Sequence, residues 1–182
     1  MAELRQDVFI HETAHVADNV QIGQGTKIWI NSQIREDVSI GTNCSIGKDT
    51  YIDHGVSIGG GVKIQNGVSV YHGVTIEDDV FIGPGVTFTN DFYPRAFSSN
   101  WTIRPTTVRK GASIGANATV VCGVELGEYS MVGAGSVVTR SVPSHGLVLG
   151  NPARLAGYVC RCGIKLQSGQ CPSCGFVLER RS

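Results

Sequence analysis

"KIQNGVSVYHGVTIEDDVFIGPGVTFTNDFYPR", residues 63–95, places a large apolar residue at every sixth position: Ile64, Val70, Ile76, Ile82 and Phe88. Then Asn90, Asp91, Tyr93, Pro94 and Arg95 follow and the rhythm stops. Toward the N-terminus it runs back through Ile58, Ile52, Ile46, Ile40, Ile34, Ile28, Ile22 and Val16 to Ile10. Toward the C-terminus it resumes with Val108, Ile114, Val120, Leu126, Val132 and Val138. A small or β-branched residue sits two positions before each of these, among them Ala14, Ser32, Cys44, Val56, Val86, Ala112 and Ser136. A period of six forms no stable stripe on a helix of 3.6 residues per turn. It suits short strands, where residues two apart point to the same side. Each hexad therefore sends one small and one large residue inward and then turns. Glycine often follows the large residue, as at Gly41, Gly47, Gly59 and Gly83, and is read as meeting a turn's demand for free φ.

Across residues 8–158 this rhythm resembles the hexapeptide-repeat family, and the resemblance implies its fold. That fold is all-β, a left-handed parallel β-helix with three hexads to a triangular coil. Twenty hexads give six to seven coils, and the handedness rests on the resemblance alone. The stretch "VPSHGLVLGNPARLAGY" (142–158) is similar to the close of acetyltransferases of this family. The expected organisation is a β-helix over 1–158, with a projecting loop at about 90–104 and a closing segment at 143–158, then a cysteine-rich tail over 159–182. The rod's exposed strand edges need covering, and the N-terminal segment and the tail are the candidates.

Once a coil is eighteen residues, positions eighteen apart stack about 4.8 Å from one another. Glu36, His54, His72 and Asn90 then form a column along one corner, ending where the rhythm breaks. The second series is out of phase by two, so the insertion is two residues plus a multiple of six, and fourteen lets the next strand resume on the following face. The loop carries Asp91, Tyr93, Arg95, Trp101 and Arg104, an aromatic and basic set on a rigid rod, which reads as a binding element.

The family resemblance implies transfer of an acetyl group from acetyl-CoA, homotrimers and sites between neighbouring subunits. Residues 63–95 resemble more narrowly the branch that N-acetylates the 3-amino group of nucleotide-linked sugars. The matching elements hold Lys63, Gln65, Asn66, Tyr71, Glu77, Asn90 and Arg95. The branch implies that Asn90 orients the acceptor amine without an obligatory base. A hydroxyl acceptor needs a positioned base, commonly histidine, whereas a free amine needs mainly orientation. His72 is therefore a catalytic candidate, either as base or as a wall of the pocket. Lys63, Arg95 and Arg104 are candidates for a diphosphate or sugar carboxylate, with Gln65, Asn66, Tyr71 and Glu77 beside them. Lys110 and Arg154 are candidates for CoA phosphates. The expected acceptor is UDP-2-acetamido-3-amino-2,3-dideoxyglucuronate, of surface-polysaccharide synthesis, because those cations suit a uronate. A dTDP-3-amino-3,6-dideoxyhexose is the alternative. An O-acetyltransferase acting on serine or a sugar and a γ-type carbonic anhydrase come next, and a non-catalytic scaffold is the competing class. The carbonic anhydrase needs three metal-bound histidines, and no H-x-x-x-x-H pair is present.

Fifteen Lys and Arg balance fifteen Asp and Glu, so no global field favours nucleic acid or an acidic membrane. The opening "MAELRQDVFIHE" has no apolar signal core and no run reaches membrane-spanning length, which reads as a soluble, cytoplasmic protein. Of six cysteines, four fall in "CRCGIKLQSGQCPSCG": Cys160, Cys162, Cys171 and Cys174. Two close pairs of thiolates suit a structural tetrahedral Zn²⁺, a short zinc-ribbon-like tail. Free thiols or a redox C-x-x-C are the other readings, and no βαβ pattern accompanies the motif.

Overall fold

The computed structural model describes residues 7–98 and 101–178. The first six residues of the expected N-terminal cap, two residues of the loop and the last four of the tail lie outside the described residues. Very short strands stack into three parallel sheets, the faces of a prism. The first face holds Phe9–Ile10, Lys27–Ile28, Ser45–Ile46, Lys63–Ile64, Phe81–Ile82, Ser113–Ile114, Met131–Val132 and Gly146–Leu149. The second runs from His15–Val16 to Val137–Val138 and the third from Gln21–Ile22 to Glu125–Leu126. An isolated bridge from Leu126 to Val142 completes the last third-face rung, so the described residues form seven full coils and begin an eighth. That is slightly more than the six to seven that twenty hexads give, because Val142 and Gly146–Leu149 add rungs beyond the last hexad.

Register follows the count made on the sequence. Lys63 pairs with Ser45, eighteen residues back. Across the interruption Ile82 pairs with Ile114 and Thr87 with Thr119, both 32 apart, and 32 − 18 gives an insertion of fourteen. The spacing of eighteen returns with Ser113 and Met131. Every large hexad residue from Ile28 to Val138 is buried, most of them completely. Burying such a side chain contributes about 1.5–3 kcal/mol, so the interior column is the main source of stability.

The glycines that follow the large residues have a different cause from the one the sequence suggests. Gly41, Gly47, Gly59 and Gly83 do not take positive φ. A Cβ at Gly41 would lie 2.5 Å from the backbone carbon of Gly59, and one at Gly47 2.6 Å from that of Gln65. Coils stack backbone on backbone here, and the missing side chain is what lets them approach. Positive φ falls two residues later, at Gly55, Gly61, Asn31, Asp49 and Asn117, as expected for Gly, Asn and Asp. Tyr129 (φ 55°) and His145 (φ 62°) break that rule with bulky side chains.

Those two residues lead to the tail. The tail's Phe176 stacks on His145 at 5.2 Å, and His145 stacks on Tyr129 at 5.3 Å. His145 Nδ1 lies 2.9 Å from the Val159 carbonyl and so carries the proton. The closing strand Arg154–Tyr158 returns antiparallel along Gly146–Leu149 and covers the edge of the first face. The tail then seats on the last coil through this aromatic column.

Candidate functional site

The corner between the second and third faces carries the polar column. His54 and His72 stack with ring centroids 4.0 Å apart and planes within 10°. His72 Nδ1 lies 2.7 Å from the His54 carbonyl oxygen. A carbonyl can only accept, so Nδ1 holds a proton, and in the neutral ring the lone pair lies on Nε2. That is the protonation state a general base requires.

Beneath the two rings lies Asp53, 6% exposed. Its Oδ1 accepts from the His54 amide (2.9 Å), His54 Nδ1 (3.1 Å), the Tyr51 hydroxyl (3.0 Å) and an Arg35 guanidinium nitrogen (2.9 Å). Its Oδ2 accepts from the His72 amide at 3.2 Å. Burial alone would raise this carboxyl's pKa; the hydrogen bonds outweigh burial and hold it at about 2. Arg35 also pairs with Glu36, the base of the column. Eighteen-residue counting could have found this group: Arg35, Asp53 and Tyr71 form the column one position before Glu36, His54 and His72. Opposite charges one coil apart, Arg35 and Asp53, are the signal in the sequence.

Thr89 makes the last ladder bond before the loop, its amide to Val120 at 3.0 Å, so Asn90, half-buried, is the first residue of the loop. Asp91 accepts from the Tyr93 amide at 2.9 Å and turns the chain outward. Phe92 and Tyr93 meet edge to face at 4.9 Å. Arg104 lies over Phe92 at 4.0 Å and over Tyr93 at 5.5 Å. The returning strand of the loop sits on two glycines of the corner: a Cβ at Gly73 would lie 2.5 Å from Ile103 Cγ2, and one at Gly123 3.3 Å from Arg104 Cβ. Gly73 follows His72 directly and has φ +89°, so the loop is moored next to the imidazole. Gly73→Ala is expected to cost about 1–3 kcal/mol and to lift the loop. Urea melts and tryptic cleavage after Arg95 report this; a variant as stable and as resistant as the parent would refute the mooring.

The other residues singled out on the sequence are not all here. Tyr71 lies on this corner, its ring 5.6 Å from Tyr51, and Arg95 is exposed on the loop with its guanidinium on the Pro94 carbonyl. Arg104 is engaged by the loop's own aromatic rings. Lys63 points outward from the first face, between Ser45 and Phe81. Gln65 and Asn66 lie at the corner of the first and second faces and line a shallow cavity of about 280 Å³ with Trp29, Ile30 and Lys48. Asn66 Oδ1 accepts from the Lys48 amide there. Glu77 occupies the third–first corner, away from His72, and accepts from Arg109 (2.8 Å) and the Lys110 amide (2.9 Å). The Lys110 ammonium is 3.7 Å from Asp79. Arg154 is on the closing strand, bonded to the Ala153 carbonyl. In one chain the expected acceptor residues therefore occupy three corners.

In the tail, the sulfurs of Cys160, Cys162, Cys171 and Cys174 all lie within 4.8 Å of one another. Cys160–Cys174 and Cys162–Cys171 are 3.4 and 3.6 Å apart. Four thiolates around a tetrahedral ion with bonds of about 2.3 Å require such spacings, so the residues fit the group.

The repeat of bacterial hexapeptide transferases (six repeats) matches residues 19–54, 55–90 and 105–140, and the hexapeptide repeat of succinyl-transferases matches 37–72. The matched segments leave out the loop. The chain belongs to the bacterial transferase hexapeptide family. Among curated relatives, dTDP-3-amino-3,6-dideoxy-alpha-D-galactopyranose 3-N-acetyltransferase of Aneurinibacillus thermoaerophilus is 63% identical over 62 residues, 34% of this chain and 32% of that protein. Serine acetyltransferase 4 of Arabidopsis thaliana is 45% identical over 56 residues, 31% of this chain and 16% of that one. The match thus spans about a third or less of these relatives. A hexapeptide transferase family protein from Anaplasma phagocytophilum superposes with TM-score 0.56 and 25% identity, over 84% of this chain and 80% of that one. GDP-perosamine N-acetyl transferase from Caulobacter crescentus, in complex with CoA and GDP-perosamine, shares the fold with TM-score 0.52 and 23% identity, over 84% and 58%.

Proposed function

We propose that this chain acetylates the 3-amino group of a nucleotide-linked sugar with acetyl-CoA as donor. The observation that carries the reading is His72, its Nδ1 proton committed to the His54 carbonyl and its ring next to Gly73, on which Ile103 of the loop rests. The acceptor amine attacks the thioester carbon and a C–N bond forms. His72 Nε2 takes the proton that the amine sheds. The C–S bond breaks, and the leaving thiolate takes that proton, giving the amide and CoA. Asn90, one coil on, orients the amine. Between the two sugars, the 63% match to an enzyme named for a dTDP-3-amino-3,6-dideoxyhexose supports the 6-deoxy acceptor. Arg104, held on Phe92, weakens the case for a uronate carboxylate partner. The uronate keeps one candidate cation in Arg95, exposed on the loop.

The dispersal of Lys63 to the first face, and of Gln65, Asn66 and Glu77 to other corners, supports a site completed between subunits. So do the exposed apolar residues Phe9, Trp29, Ile30 and Phe81 along the first face and its corner; a trimer of rods side by side would cover them and bring a second corner to the loop. Lys110 and Arg154 stay assigned to CoA phosphates in that assembly. Cys160, Cys162, Cys171 and Cys174 hold a structural Zn²⁺ with no open position, and the β-helix and tail form two units divided near residue 158. No described helix is long and apolar enough to cross a membrane, and cytoplasmic synthesis of nucleotide sugars is the setting this chemistry fits.

Thiol release from acetyl-CoA, measured across dTDP- and UDP-3-amino sugars with serine and maltose as hydroxyl acceptors, tests the reading. Turnover is expected with one or more of the amines. Turnover with hydroxyl acceptors alone would sink it.

A further inference from the structure

We infer that Asp53 is the positioning residue of this corner, clamping His54 and the backbone of His72 so that both imidazoles stand in one stack with Nε2 free. The kinetic consequence rests on the acetyl-transfer reading; the clamp itself does not.

The fold does not call for an acid there. The equivalent corner positions of the other coils hold Ala17, Arg35, Tyr71, Thr89, Val121 and Thr139, none of them an acid. A carboxylate taken this far out of water is costly unless its oxygens are fully bonded, and those of Asp53 are. Four of its five donors converge on Oδ1 and the fifth, the His72 amide, on Oδ2. Three successive coils are thereby tied by one side chain. The tie has a direction. A carboxylate only accepts, so His54 Nδ1 must carry its proton toward Asp53, which fixes the plane of that ring. The His72 ring lies flat on it at 4.0 Å and gives its own Nδ1 proton to the His54 carbonyl. In the neutral ring of each imidazole the lone pair therefore falls on Nε2.

Charge points the same way. Arg35 bonds both Asp53 and Glu36, so one cation faces two anions and the trio carries a net charge of −1 next to the stack. A proton arriving on His72 meets a favourable field, and Tyr51 and Arg35 keep Asp53 from turning away to meet it. Asp53 accordingly acts through the histidines and does not touch the reacting atoms.

The test uses the full-length protein with ¹⁵N-labelled histidine. In the parent, His54 and His72 are expected as the Nδ1–H tautomer when neutral; finding either as Nε2–H overturns the inference without any variant. Asp53→Asn keeps the shape of the side chain but replaces one acceptor oxygen by an NH₂ group. Whichever way the amide turns, it sets a donor against a donor, at the His54–Arg35 side or at the His72 amide. With the NH₂ on the His54–Arg35 side the Nδ1–H fraction of His54 is expected to fall; with it on the other side the backbone amide resonance of His72 is expected to shift. In either case kcat is lowered about 10–100-fold with the KM for acetyl-CoA unchanged. Tautomers and kcat both at the parent's values in a folded Asp53→Asn protein would overturn the inference. If no amine acceptor turns over in the parent, the acetyl-transfer reading fails, while the tautomers still decide the clamp.

Discussion

His72→Ala is expected to lower kcat for amine acetylation by about 10²- to 10⁴-fold, the usual worth of a positioned acid–base group, with the KM for acetyl-CoA little changed. The change removes the lone pair at Nε2 and leaves the rod alone, since His72 is half-buried at a turn and the interior column beneath it is intact. It also removes the upper half of the imidazole stack, so His54 loses its neighbour but keeps its bond to Asp53. Steady-state kinetics with the best amine acceptor, run beside a thermal melt, separate the two effects. A variant with kcat within a few-fold of the parent would mean that His72 only shapes the pocket and that orientation by Asn90 suffices.

Loss of the metal is expected to have the second large effect. Purified protein should contain about one zinc per chain, and structural zinc contributes on the order of 10 kcal/mol to modules of this kind. Packing within a short segment of turns supplies far less, so Cys171→Ser or chelation should unfold the tail as a unit. Phe176 then leaves His145, and His145 and Tyr129 are left at positive φ without the stack that covers them. Left-handed backbone at bulky residues costs about 1–3 kcal/mol each, so disorder should spread into Gly146–Leu149 and the strand returning along it. Hydrogen exchange over residues 143–158 measures this. Protein without zinc under reducing conditions, or an unchanged exchange pattern after metal loss, would remove the tail from the account of the rod's stability.

The rod was legible because it is periodic. Ile64, Val70 and Ile76 announce the length of the strand-and-turn unit; the eighteen-residue coil comes from the family resemblance, and counting by it puts His54 and His72 on one corner. The phase shift between Phe88 and Val108 gave the insertion its length, which the pairing of Ile82 with Ile114 bears out. What was not legible depends on side-chain direction. Nothing in the spacing says that Arg104 turns back onto Phe92, or that Glu77 meets Arg109 on another corner. The glycines after Ile40 and Ile46 looked like turn residues, because a residue's closeness to the next coil leaves no local trace in sequence. Asp53 is hidden for a related reason: an acid beside a turn reads as solvated, and only the folded chain shows it buried with five donors on it.

The fourteen-residue insertion bears on how such a protein can change its substrate. It lengthens one chain closure from 18 to 32 residues, and closure entropy grows only as (3/2)RT ln n, so the extra length costs about 0.5 kcal/mol. Strand pairing on either side is untouched, because each rung recognises only its neighbours. A lineage could therefore lengthen, shorten or exchange the segment between Thr89 and Thr106 almost without penalty to folding. The imidazole stack would stay fixed on the rod while the acceptor it serves is rewritten above it.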